Sequence, residues 1–405
     1  MSRRESNDQQ RASQTVFLSG PTLYLRLVEP EDARTAMIWR ETPFPAPTGV
    51  VEDDLRTLLE QDPDILEANL LLLMCRREDD VPVGSVRVLF DDWRFGHVTF
   101  TPDRLAPVGM QSDAVAETLG ILLPFLLFER NMMVVGFELR DDWAAAMAHV
   151  IERGGREQFR QRERYLVDGR RVDARYFQVF NPVWVEKLGT SPPPIFGSAE
   201  HPARVSIIRP VVSEADGRPP EAMVVGERLY LRPIRVDDGH LIARWSREES
   251  EIFYPEGRVL IHAHTFGAFH RRLAMVEYPS WIRFAIALRK TDELIGCTGL
   301  DHISWVHRTA ETETEIFRPE HRSAGFGTEA KQLLLAYGFD RIGLHMVYSF
   351  VAEGNQRSAQ ALRKQGYRDA GRLAWESFCK TGVCDYLAFD LLAEEWRAAR
   401  DGSGD

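Results

Sequence analysis

The chain has 405 residues, 44% of them hydrophobic and 27% charged, with a formal net charge of −11. That length holds two or three domains with packed cores, and the acidic balance, with a pI near 5.6, excludes a broad phosphate-binding surface for nucleic acid. The four cysteines, Cys75, Cys297, Cys379 and Cys384, form no C-x-x-C pair, so they offer neither metal-site spacing nor a disulfide framework and fit a reducing compartment.

Residues 1–15 are polar, lack an apolar core and read as a flexible tail rather than a signal peptide. Leu23-Tyr24-Leu25-Arg26 reads as a strand, Asp32 as the acidic first-turn residue of a following helix, and Trp39 as a packing residue on it. The most apolar run, from Leu119, is broken by Pro124, Glu129 and Arg130, so no membrane span is expected. The opening then recurs as Leu229-Tyr230-Leu231-Arg232, Asp238 and Trp245, at a constant offset of 206 residues. Val83-Gly84-Ser85 is answered by Ile295-Gly296-Cys297, and Phe100-Thr101-Pro102 by Phe317-Arg318-Pro319. Two copies of one fold are expected, over 16–188 and 225–400, joined by a proline- and glycine-bearing connection over 189–224.

In the second copy the patterns predict strands at 228–234, 283–288, 294–305 and 309–317, with helices at 238–248 and 264–275. After them come a loop, a helix to about Ile342, a strand at His345–Val351, a helix from Gln356 to about Gln365, and strands near 367–379 and 383–391. Antiparallel strands first and a strand–helix–strand unit later give a mixed α/β sheet. Alternation puts Glu311, Glu313, Glu315 and Phe317 on one face of a strand and Thr312, Thr314 and Ile316 on the other. The following run, Arg322-Ser323-Ala324-Gly325-Phe326-Gly327-Thr328, opens a helix. Unpaired amides there, with the helix dipole and the charge of Arg322, favour a pyrophosphate.

Arg322-x-x-Gly325-x-Gly327, followed by Asn355-x-x-Ser358 and Gly366-Tyr367, resembles the two signatures of the GNAT superfamily of N-acyltransferases. Phe317-Arg318-Pro319 and Gly327-Thr328-Glu329-Ala330 match its ribosomal-protein alanine acetyltransferase (RimJ/RimL) branch. The resemblance implies two neighbouring parallel strands that splay apart, with the pantetheine arm of acetyl-CoA pairing along the edge Glu315, Ile316 and Phe317. It implies pyrophosphate binding by residues 322–328, a pantetheine or bridging-water contact from Asn355, and a hydrogen bond from Ser358 to the departing sulfur. No metal is implied. By the same resemblance Glu311, eleven residues before Arg322, or Glu313, with Glu315 a lesser choice, accepts the amine's proton; the alternative is a solvated strand face or one that binds a cationic substrate. Read from the residues alone, Asn355 is a helix N-cap with Ser358 in the first turn, and both roles are compatible.

The first copy departs from this pattern. Its loop position reads Asp103-Arg104-Leu105-Ala106-Pro107-Val108-Gly109-Met110, with one glycine and a proline that removes a donor, and its second signature reads Asp141-Asp142-Trp143-Ala144. That copy is expected to bind no acyl-CoA. The reading as a whole is a cytoplasmic, acetyl-CoA-dependent N-acetyltransferase of two tandem GNAT-like domains. Its second copy acts on a primary amine, either a protein N-terminus or a small molecule. It predicts no nucleic-acid or membrane partner and leaves a homodimer open. The competing class is a non-catalytic acyl-CoA sensor or interaction scaffold.

Overall fold

A computed structural model describes residues 16–29, 32, 69–92, 95–100, 112–197, 219, 221–248, 279–379 and 382–402. The tail 1–15, Trp39, the loop Asp103–Met110 and the helix expected over 264–275 lie outside the described residues. The chain divides into two compact units, one through Pro192 and one from Pro193, with Gln161–Leu166 grouped with the second.

In the first unit β1 (Val16–Ser19), β2 (Leu23–Leu27), β3 (Asn69–Arg76), β4 (Pro82–Asp92) and β5 (Phe95–Phe100) form an antiparallel meander. Helix α1 (Ser112–Pro124) returns the chain so that β6 (Val134–Arg140) pairs parallel with β5. Its buried residues Val115, Leu119, Leu122 and Leu123 follow the spacing of a one-sided apolar stripe. After α2 (Ala144–Glu152) come β7 (Arg156–Val167), β8 (Arg170–Phe180) and α3 (Pro182–Leu188), and the strand order is β1-β2-β3-β4-β5-β6-β8-β7.

The second unit runs β9 (Val224–Val225), β10 (Leu229–Pro233), α4 (Asp238–Glu248), β11 (Ile282–Leu288), β12 (Leu294–Ser304) and β13 (Thr309–Ile316). It continues with α5 (Phe326–Ala336), β14 (Met346–Ala352), α6 (Gln356–Lys364), β15 (Arg368–Cys379), β16 (Gly382–Leu392) and α7 (Ala393–Gly402). Its strand order is β9-β10-β11-β12-β13-β14-β16-β15, with β13 and β14 the parallel pair. Leu231, Ile286, Leu300, Leu333, Leu334, Val347 and Phe389 pack into its core, which sets α5 against one face of the sheet. Trp245 joins Ile242, Ala285 and Cys297 in a smaller cluster, the packing role expected of it. Among the described elements the expected bounds agree with these within a residue or two, the helix reaching its expected end near Ile342 through a π-helical turn, Tyr337–Ile342, that continues α5, whereas β9 and α7 were not anticipated.

Polar anchors secure the edges of both sheets. Arg232 pairs with Asp238 at 2.7 Å with both side chains buried, and Asp238 also accepts Arg235 N at 2.7 Å. Asp238→Asn keeps an acceptor but removes the charge opposite a buried guanidinium; we expect a loss of about 2 kcal/mol in urea unfolding. Among the cysteines, Cys75 and Cys297 are free and buried, but Cys384 is disulfide-bonded. This corrects the expectation of no disulfide framework, because disulfide pairing is set by which cysteines the fold brings within bonding distance and not by C-x-x-C spacing. Among the described residues no helix is long and apolar enough to cross a membrane.

Candidate active site

The site is organised by the point at which β13 and β14 part. Their parallel register runs from Thr309 opposite Met346 to Glu311 opposite Tyr348 and stops, while β13 continues to Ile316 and β14 to Ala352. On its other side β13 stays paired with β12 as far as Ile316 opposite Gly296. The opening is therefore confined to one edge. Side chains bridge its apex: Ser349 Oγ donates to Thr312 O at 3.0 Å, and Thr312 Oγ1 meets Tyr367 OH at 2.8 Å. Tyr367 is a buried core aromatic, and burial pushes its phenol well above the usual range.

The edge expected to pair with a pantetheine arm is partly engaged. Phe317 N continues the ladder to β12, donating to Ile295 O at 3.0 Å, while the carbonyls of Ile316 and Phe317 accept from Arg322 Nε and Nη2 at 2.9 and 2.8 Å. Arg322 thus ties the strand end to the loop. Beyond it Ser323 and Gly325 adopt φ of 60° and 82°, and α5 begins at Phe326 with no side-chain cap. The helix's own ladder starts with Glu329 N to Gly325 O at 3.1 Å, which leaves the first-turn amides of Phe326, Gly327 and Thr328 without intrahelical partners. Such a left-handed turn before a helix concentrates N–H groups into an anion-binding concavity.

A second cation flanks this loop and was not found by sequence reading. Arg228 pairs with Glu329 at 2.8 Å, donates to Ala324 O at 2.9 Å and lies 4.5 Å over the Phe326 ring. Glu329 is buried and accepts the amides of Arg228 and Leu229 at 2.8 and 3.2 Å. In the chain these partners stand a hundred residues apart, and no local pattern links them.

At the next helix Asn355 Oδ1 accepts Ser358 N at 3.2 Å, so the capping geometry is present. Ser358 is partly exposed in the first turn. In the first unit Trp143 stands at the N-cap of α2 without a side-chain cap bond, while Asp141 and Asp142 are ion-paired with Arg175 and Arg140.

On the face of the sheet away from α5, Glu311 lies opposite Asp301, Glu313 opposite Gly299, and Glu315 opposite Cys297. Directly opposed residues project to the same side, so Asp301 joins the expected carboxylates there. Gly299 makes the space: a Cβ would stand 3.0 Å from Glu313 Oε1 and 2.9 Å from Ile282 O. Glu313 is ion-paired with Arg283, and Glu311 Oε2 stands 3.5 Å from His302 Nδ1, whose pKa that contact raises. Asp301 is pushed up to about 7, by burial first and by the Glu313 charge next, with Arg283 opposing. Lys331, buried on α5, is pushed down to about 7 by burial against the pull of Glu313, Glu311 and Asp301. Glu315 is exposed. Among the described residues no group of three or more His, Cys, Asp or Glu is placed to hold a metal ion.

Residues 228–368 match the acetyltransferase (GNAT) domain family. The chain is 32% identical over 148 residues to the uncharacterized N-acetyltransferase YoaA of Bacillus subtilis, covering 36% of this chain and 83% of that protein. It is 34% identical over 175 residues to the spermidine N(1)-acetyltransferase of Vibrio cholerae, covering 43% and 92%. The chain belongs to the GNAT acetyltransferase family. It is accordingly an acyltransferase that uses acetyl-CoA, and its mixed α/β sheet carries a GNAT domain. This acetyltransferase is also similar to a solved spermidine N-acetyltransferase SpeG chimera from Vibrio cholerae and hSSAT, at 24% identity over 42% of this chain and 99% of that one, with a TM-score of 0.38.

Proposed function

We propose that the second unit, residues 225–400, transfers an acetyl group from acetyl-CoA to a primary amine, and that the chain holds two tandem GNAT-like folds. The observation that carries the first part is the open edge of β13 ending in an uncapped helix start, a continuous track for a pantetheine arm and a diphosphate. In this reading residues 322–328 hold the pyrophosphate and Glu315, Ile316 and Phe317 border the arm. Asn355 steadies the arm, and Ser358 donates to the departing sulfur. The amine's proton passes to a carboxylate of the acidic face, Glu311 or Glu313 in the sequence reading, with Asp301 as an added candidate.

The tandem reading, with boundaries 16–188 and 225–400 around a connection at 189–224, is supported by matching anchors as well as matching strand order. Arg26 pairs with Asp32 at 2.6 Å as Arg232 does with Asp238, and Glu117 accepts Thr22 N and Leu23 N at 2.7 and 2.8 Å as Glu329 accepts Arg228 N and Leu229 N. The first fold is read as lacking acyl-CoA binding, and the second as of the RimJ/RimL type. Carboxylates beside the opening favour a cationic acceptor. The spermidine acetyltransferase among the relatives makes a small polyamine the preferred choice over a protein N-terminus. A cytoplasmic setting, where acetyl-CoA is available, belongs to the same reading.

Thiol release from acetyl-CoA with a panel of primary amines tests it. Ser358→Ala is expected to lower kcat about tenfold, about 1.4 kcal/mol, with acetyl-CoA affinity unchanged. Binding of acetyl-CoA with no amine acetylated would favour the sensor or scaffold reading.

A further inference from the structure

A bulge decides which residue of β12 reaches the acidic face. Near the turn Ser304 lies opposite Thr309, and an unbroken ladder from there sets His302 opposite Glu311 and turns Asp301 toward α5. Instead the register slips between Asp301 and Ser304, and His302 takes a φ of 50°. Asp301 is thereby delivered opposite Glu311. It is buried, whereas Glu311 and Glu313 are half-buried and engaged with His302 and Arg283. Its Oδ1 is fully enclosed and has no hydrogen-bond partner among the described residues. A buried acceptor without a donor is costly and rare, and protonation relieves it, since protonated Asp301 can donate to Glu313 beside it; a carboxylate so placed among the acidic side chains is suited to take up a proton.

Resting on the acetyltransferase reading above, we propose that Asp301 is the base that accepts the attacking amine's proton, while Glu311 and Glu313 hold the ammonium. The ammonium gives one proton to the Asp301 carboxylate, and the freed lone pair forms the C–N bond to the thioester carbonyl carbon. The C–S bond breaks, the second proton goes to the departing sulfur, and CoA leaves as a thiol. Protonated Asp301 then returns its proton to solvent. The charges acting on Asp301 are Glu313 and Glu311 from β13 and Arg283 from β11; His302 beside it on β12 and Lys331, buried on α5 across the sheet, feel its charge in turn. Their sum, with burial, places its ionisation at about 7, where a base has both the right form and useful strength.

The test is the pH profile of thiol release, with an amine the wild type accepts, for wild type, Asp301→Asn, Glu311→Gln and Glu313→Gln, together with acetyl-CoA titration and thermal melts. Wild-type kcat/KM should climb through pH about 7. Asp301→Asn should lose roughly a hundredfold and the climb with it, while acetyl-CoA affinity stays. Glu313→Gln should keep the climb and move it to lower pH, because a neighbouring negative charge is gone. The folded state favours neutral Asp301, a contribution full at acid pH and lost as pH rises through about 7; Asp301→Asn should therefore melt no lower than wild type above that pH. The inference is overturned if Asp301→Asn keeps both rate and climb, if Glu311→Gln or Glu313→Gln abolishes the climb, or if Asp301→Asn melts lower there. A wild type that acetylates no amine overturns the functional reading itself, and this inference with it.

Discussion

Glu329→Ala should both destabilise the second unit and release its anion loop. The carboxylate is buried, pairs with Arg228 at 2.8 Å and accepts two backbone amides, and Arg228 in turn holds Ala324 O. Removing it leaves a guanidinium and two N–H groups without their acceptor, worth about 3–5 kcal/mol for a buried pair. Part of that figure is discounted because the Arg228 side chain is 43% exposed. The expected outcome in urea unfolding is a loss near the lower bound, accompanied by weakened acetyl-CoA binding. Glu117→Ala removes the corresponding anchor of the first unit, where Thr22 N and Leu23 N donate to Glu117. It should destabilise without changing acetyl-CoA affinity. Equal loss of affinity in both variants would contradict the assignment of binding to the second unit.

Gly325→Val should weaken acetyl-CoA binding by about a hundredfold or more. Position 325 has φ 82°, a conformation that disfavours a β-branched residue by roughly 1–2 kcal/mol, and a Cβ there would approach Arg228 Nη2 to 3.3 Å. The turn that gathers the amides of Phe326, Gly327 and Thr328 would open, and each charge-assisted hydrogen bond lost adds about 1.5–3 kcal/mol. Gly343→Ala is the matched control. It too has positive φ, 79°, and open space around a Cβ, but it lies beyond the far end of the same helix. Calorimetry should show its affinity near that of wild type.

Much of this was legible in the sequence because the governing contacts are local. The loop at 322–328, the Asn355 cap and the strand alternation at Glu311, Glu313 and Glu315 each depend on residues within about a dozen positions, where glycine chemistry and period-two patterning speak directly. The tandem reading rests in the sequence on strand, acid and tryptophan keeping one spacing, of which Trp39 lies outside the described residues. What was not legible depends on pairing across the fold. Asp301 reaches the acidic face only because the β12–β13 register slips by one residue, and such a slip exchanges faces without leaving a compositional mark. Arg228 and Glu329 meet because β10 lies beside α5, a neighbourhood that spacing does not encode. Helix α7 was missed for a related reason. Its Trp396 is buried with Nε1 on Gln332 Oε1 at 3.0 Å, a tertiary contact that supports a short segment with an otherwise polar pattern.

The most direct measurement is calorimetric titration of the intact chain with acetyl-CoA. The account predicts one site per chain, lost in Gly325→Val and kept in Glu117→Ala. No binding, two sites per chain, or a single site indifferent to Gly325→Val would contradict it.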